Sequence, residues 1–187
     1  MRNHMNHDSF RQPPLPDLNS RESVARYRAE LSEWWNSVVQ MEYEHFRGVI
    51  GSVLDEYLDS PHAALYGLND PNPLFRQAAA YVLETKFENN DEVVSAFTDI
   101  IKTESDEVVM VRAMGYIASY YRNSNNVECS RSFAKIVCAE HKSLEIRRFA
   151  YWCLILVVRG VHTWKESLPN LRFPQDVNWK LVKRFLS

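Results

Sequence analysis

Glycine is scarce in this chain: 5 among 187 residues, beside 9 Phe, 9 Tyr and 5 Trp. That shortage argues against glycine-rich phosphate loops and turn-rich all-β folds, which need residues free to adopt positive φ. No G-x-G-x-x-G and no G-x-x-x-x-G-K-[ST] occurs, so the usual signatures of dinucleotide and nucleoside-triphosphate binding are missing. Cysteine is also sparse. Cys129, Cys138 and Cys153 have no patterned spacing and two of them sit in apolar stretches. The expectation is buried thiols in a reducing compartment and no disulfide framework. The longest apolar run, Ala150 to Val158, falls far short of the roughly 20 residues that span a bilayer. Residues 1–14 have no apolar centre of the secretory kind. A cytoplasmic protein without membrane contact is the expectation.

What is present is an ordinary globular composition, 45% hydrophobic, in a length that suggests one domain. The net charge of −2 hides an asymmetry. Residues 1–110 hold 9 Lys+Arg against 19 Asp+Glu, a net of −10, while residues 111–187 hold 13 against 5, a net of +8. Such a split can steer a charged partner to one end or let protomers pair head to tail.

The chain is organised around residues 63–83, AALYGLNDPNPLFRQAAAYVL. Asn69 to Pro73 break the backbone, because proline removes donors and pushes the preceding residue out of the helical region. Helical spacing resumes at Phe75, Ala79, Val82 and Leu83. The pattern returns around Arg112 and Arg147, 36 and then 35 residues after Arg76. Regular offsets of that size predict an array of helical hairpins. Unit one runs from about Pro61 to Asn90. Unit two has a first helix through Phe97, Ile100 and Ile101, a turn at 103–106 and a second helix over 107–121. In unit three SAFTDII (95–101) lies over RSFAKIV (131–137), and the second helix spans 144–158 with Gly160 as its C-cap. Residues 1–19, with Pro13, Pro14 and Pro16, predict a flexible arm. Residues 20–60 predict two helices capping the first unit, with Ser20 as N-cap and Gly48 or Gly51 bending or ending the first. Residues 159–187 predict a C-terminal cap, with an apolar loop through Trp164, Leu168, Leu171 and Phe173 and a last helix capped by Asp176.

The residues that recur are Leu65, Leu68, Asp70, Pro71, Pro73, Phe75, Arg76, Ala79, Val82 and Leu83; Asp106, Val111, Arg112 and Gly115; and Ile146, Arg147, Ala150, Cys153 and Leu154. Over residues 61–158 this resembles the HEAT-repeat family and its shorter HEAT-like relatives. Unit two departs from the pattern with Gly115 and Ser119 where Ala and Leu are usual, and unit three lacks the turn aspartate. The resemblance implies an all-α fold: a short right-handed α-solenoid of antiparallel helix pairs, second helices lining its concave side. It implies no single activity. It also implies that turn aspartates and second-helix arginines bond along the stack, at Asp70, Asp106, Arg76, Arg112 and Arg147.

Counting 100° per residue from each repeat arginine places Phe75, Ala79, Val82 and Leu83, Val111, Gly115, Ala118 and Ser119, and Ile146, Ala150, Cys153 and Leu154 on a core face. Gln77, Tyr81, Tyr116, Tyr120, Arg148, Tyr151 and Trp152 then point outward. Rigid aromatics edged by arginine suit a protein-binding surface, and these seven residues are the candidate site. The alternative is that a terminal helix or the 164–173 loop covers the row. The expected function is a non-enzymatic interaction module or scaffold, with a dedicated bacterial partner as one version, no catalytic residues, no metal and no cofactor.

Two other readings stand beside it. HEAT-like DNA glycosylases use a basic groove, and here Lys135, Lys142, Arg147, Arg148, Arg159, Lys165 and Arg172 would meet phosphates while Tyr151 and Trp152 stack on bases. Bilin lyases also carry short HEAT-like repeats, but no residue here points to a tetrapyrrole. Cys138 with His141 would form a thiolate pair, without a third orienting group. Glu44-His45 and Glu140-His141 reverse the His-Glu pairs of HEAT-like iron hydroxylases.

Overall fold

The computed structural model describes residues 21–160, 168 and 170–187, and among these the chain is all-α, with nine helices and no strand. It divides into two compact units, Met1–Leu54 and Asp55–Ser187. The predicted arm at 1–19, the Ser20 cap and Trp164 lie outside the described residues.

In the first unit α1 (Arg21–Ile50) runs for 30 residues, about 45 Å at the usual rise. Glu22 lies in its first turn and Arg47 in its last, each where the helix dipole favours that sign. Gly48 stays inside the helix, whereas Gly51, at φ 52°, ends it. Helix α2 (Ser52–Asp59) crosses the boundary between the units.

The second unit holds three hairpins. They are α3 (Pro61–Gly67) with α4 (Pro73–Lys86), α5 (Asp91–Thr103) with α6 (Glu107–Tyr120), and α7 (Val127–Cys138) with α8 (Leu144–Arg159). Each of these six helices begins at a Ser, Asn or Asp whose side chain accepts from a backbone amide of the first turn: Ser60, Asn72, Asn90, Asp106, Asn126 and Ser143. Loop polarity thereby becomes helix initiation. Gly160 closes α8 in the left-handed region at φ 70°, as its position predicts. The last helix, α9 (Trp179–Arg184), departs from expectation. Its cap is Asn178, which accepts from the Leu181 amide at 3.0 Å. Asp176 instead accepts from the Arg172 backbone amide and guanidinium, at 2.9–3.0 Å, and so closes the preceding turn.

The partners within each hairpin pack on each other, α4 packs on α6, and α6 packs on α8. Among the first helices α3 touches α5 lightly, and α5 and α7 barely meet. Phe97 and Phe133, 36 residues apart, are both fully buried, so the repeat offset puts the same ring in the same role. Gly67 permits a close approach, because a Cβ there would lie 2.5 Å from the Tyr57 ring and 3.0 Å from the Ala79 Cβ.

The repeat arginines are tied down, but only Arg76 reaches a turn aspartate, and it does so through the Asp70 backbone carbonyl. Arg76 donates to the backbone carbonyls of Asp70 and Pro71 and, twice, to the Glu104 carboxylate at 2.9 and 3.1 Å. Arg112 pairs with Glu84 and lies over the Tyr81 ring, 5.4 Å from its centroid. Arg147 donates to the Val137 carbonyl and stacks over Phe173. The carboxylate of Asp106 is occupied as a helix cap and also accepts from Gln77 at 2.9 Å. An acid one residue into the loop reaches the guanidinium more directly than a capping aspartate turned toward its own helix.

Candidate functional site

The seven candidate residues do not form one exposed row. Tyr81, Tyr116 and Tyr151 are buried, while Gln77, Tyr120, Arg148 and Trp152 are half-exposed. The reason lies in how many neighbours a second helix has. Helix α6 is packed on three sides, by α5, α4 and α8, so three of its four expected outward positions, Ala113, Tyr116 and Ile117, are buried, and only Tyr120 is half-exposed. Apart from Glu107 and Tyr120 at its ends, what α6 leaves accessible is a narrow stripe at three- and four-residue spacing: Val108, Val111, Arg112, Gly115 and Ser119. Three of these, Val111, Gly115 and Ser119, were expected on the core face. Their exposure explains why Gly and Ser stand where the repeat pattern has Ala and Leu, since no packing demand selects a larger apolar group there.

The buried tyrosines act as fasteners. Tyr116 donates its hydroxyl to the Phe87 carbonyl at 2.5 Å and accepts from the Asn90 amide at 3.0 Å, securing the loop from α4 to α5. Burial, more than any neighbouring charge, raises its pKa. Tyr151, 35 residues later, accepts from the Asn178 amide at 2.9 Å and so holds the start of α9. Tyr120 donates to Asp91, and that bond is the first cause of its raised pKa.

On α8 the accessible stripe is Glu145, Arg148, Phe149 and Trp152. Phe149 and Trp152 stack, with ring centroids 5.5 Å apart and planes 23° from parallel. A Cβ on Gly115 would lie 3.7 Å from the Phe149 ring, so the stripes of α6 and α8 run side by side. Arg148 borders them and is paired with Glu145 at 2.6 Å. Phe149 was missed by counting from Arg147 because it falls between the two assumed faces. A sequence signal was present, since the three bulky residues Phe149, Tyr151 and Trp152 within four positions cannot all face one side.

The remaining chemistry is dispersed. Burial raises the Cys129 thiol to about 12 and holds the Cys153 thiol well above its ordinary value, which keeps both as neutral packing groups. Cys138 is exposed at the end of α7, and no hydrogen bond joins it to His141. Among the described residues no three His, Cys, Asp or Glu side chains converge as metal ligands would. None of the described helices is long and apolar enough to cross a membrane. Four of the expected phosphate-binding cations have partners within the chain: Lys142 on the Glu104 carbonyl, Arg147 on Val137, Arg148 on Glu145 and Arg172 on Asp176. Comparison with family models, with characterised proteins and with solved structures found no match to this chain.

Proposed function

We propose that this chain is a non-enzymatic protein-binding module, a short right-handed α-solenoid of HEAT-like hairpins, which docks a protein partner on the paired stripes of α6 and α8. The serial packing of α4 on α6 and α6 on α8 supports the stacked arrangement. One observation carries the docking surface: the stacked Phe149–Trp152 pair, half-exposed beside Val111 and Gly115 and rimmed by Arg148. Stacked aromatics are already rigid, so they bury a large area on contact at small entropic cost, the usual make-up of an interface hot spot. Of the seven candidates, Arg148 and Trp152 belong to this surface. Gln77 and Tyr120 are engaged with Asp106 and Asp91.

A nucleic-acid partner is less well supported. Tyr151 is fully buried and offers no ring face for stacking, and two of the required cations, Arg148 and Arg172, are already paired with carboxylates of the chain. The test compares wild type with Phe149→Ser/Trp152→Ala as bait. A partner that the wild type retains and the variant loses, with the melting temperature kept within a few degrees, supports the surface. Equal retention, or salt-dependent DNA binding by both proteins, overturns it.

A further inference from the structure

The layer of first helices carries a second feature. A trough runs between α5 and α7, one half about 330 Å³ and the other about 380 Å³ in volume. Ile101, Lys102 and Ser132 line both halves, so the two are continuous. Residues early in both helices border the first half and residues late in both border the second, so α5 and α7 flank the trough in parallel. Its floor is apolar, formed by Val94, Ile101, Ile117 and Ile136. Its ends differ in sign. Asp91 and Glu128 stand at one end, and Lys135 and Lys142, with His141 beside them, at the other. Asp99 and Lys102, midway, pair at 2.7 Å and offset each other. Tyr120 donates to Asp91, and Lys142 donates to the Glu104 carbonyl, which fixes two of the end charges without removing them.

We propose that this trough receives an amphipathic α-helix of a partner protein, lying antiparallel to α5 and α7, with acidic residues in its first turn and basic residues in its last. Helix α5 has 13 residues, about 20 Å, which matches an incoming helix of about four turns. Because α5 and α7 barely touch, a third helix can seat an apolar stripe at three- and four-residue spacing on the floor between them. Antiparallel docking brings the incoming acids to Lys135 and Lys142 and the incoming bases to Asp91 and Glu128. It also opposes the incoming dipole to those of α5 and α7. A parallel helix of the same sequence meets like charge at both ends. A nucleic-acid strand meets repulsion at the acidic end, which disfavours it as occupant.

The test uses the full chain and two fluorescein-labelled peptides of about 14 residues, each with a leucine stripe at helical spacing. One has Glu in the first turn and Lys in the last, and the other has Lys in both, so that in either orientation one of its ends meets Lys135 and Lys142. In anisotropy titrations at about 50 mM salt, the first peptide should bind about tenfold more tightly than the second. Lys135→Glu should remove that preference. Ser132→Trp, which fills the trough where its halves join, should abolish binding of both peptides. Trp152→Ala should change neither, because the trough is separate from the α6–α8 stripe and each reading can fail alone. No binding at about 200 μM, equal affinity for the two peptides, or binding that survives Ser132→Trp overturns the proposal. A concentration-dependent dimer that Ser132→Trp dissolves shows that a second copy is the occupant and also overturns it. Thermal melts check that each variant folds, and Lys135→Glu decides alone if Ser132→Trp does not.

Discussion

Glu104 ties the first two hairpins together through Arg76, and replacing it tests that join directly. Its carboxylate is 5% exposed and accepts four hydrogen bonds: two from Arg76, at 2.9 and 3.1 Å, and one each from the Ser105 and Asp106 amides, at 2.8 and 2.7 Å. Arg76 in turn spans the turn of the first hairpin through the Asp70 and Pro71 carbonyls. Removing one member of a buried, hydrogen-bonded ion pair typically costs about 3–5 kcal/mol, because the other charge is left without its partner. Glu104→Ala should fall in that range. Glu104→Gln keeps one acceptor oxygen for the amides and should cost about 2–3 kcal/mol. Arg76→Met combined with Glu104→Gln should cost less than the sum of the single changes by at least about 1.5 kcal/mol. Urea unfolding followed by circular dichroism measures each value.

The same carboxylate predicts a pH dependence. Burial alone raises its pKa, but the Arg76 hydrogen bond and the amides of Asp106 and Ser105 together outweigh burial and hold it below the ordinary 4.5. A depressed carboxylate contributes stability that is complete above its unfolded value and drains away as pH falls through the folded one. The stability gap between wild type and Glu104→Gln should therefore be constant well above pH 4.5 and narrow as pH falls below it. A Glu104→Gln cost under about 0.5 kcal/mol at neutral pH, or a gap indifferent to acid, would refute the clamp.

Three further outcomes follow from local geometry. Ser130 is fully buried with no hydrogen-bond partner for its hydroxyl among the described residues, so Ser130→Ala should be neutral or stabilise by about 1 kcal/mol in the same urea assay. Gly160 combines φ 70° with only 2.7 Å between a built Cβ and the Asn123 Cβ, so Gly160→Ala should destabilise by about 1–3 kcal/mol and lower the melting temperature. Tyr116→Phe strips the Phe87 carbonyl and Asn90 amide of their partner and should cost about 1–3 kcal/mol, with amide exchange quickening first at residues 87–90.

Residues whose role is set locally were legible in the sequence. The second helices of the second and third hairpins lie within a residue of the predicted 107–121 and 144–158, because Asp106 and Gly160 act through their own backbone neighbours. The 36-residue offset also transferred correctly from Phe97 to Phe133. Roles fixed by neighbours distant in sequence were not legible. A helical wheel gives relative angles but not the number of helices packed against it, so it could not show that α6 is enclosed on three sides and that Tyr116 turns inward. Asp176 failed as a cap for a similar reason: Arg172, four residues earlier, competes for the same carboxylate and wins with three donors.

The two proposed surfaces have a common origin in side-chain size. The second helices are rich in small residues, with Ala78, Ala79 and Ala80 on α4, Ala113 and Ala118 on α6, and Ala150 and Cys153 on α8, all fully buried. Small contacts let helix axes approach toward the short end of the usual 8–10 Å range. The first helices hold Phe97 and Phe133 against their own hairpin partners, while Ser95, Thr98 and Ser132 line the space between α5 and α7. Short polar side chains neither fill that space nor drive its closure, since they offer little apolar surface and the Thr98 and Ser132 hydroxyls already donate to carbonyls of their own helices. Close second helices and parted first helices bend a stack in one direction. In the proposed solenoid that bend puts the Phe149–Trp152 stripe on the inner side and opens the charged trough on the outer one. Enlarging the inner contacts, as with Ala113→Leu, should therefore loosen the whole array before it alters either surface chemically.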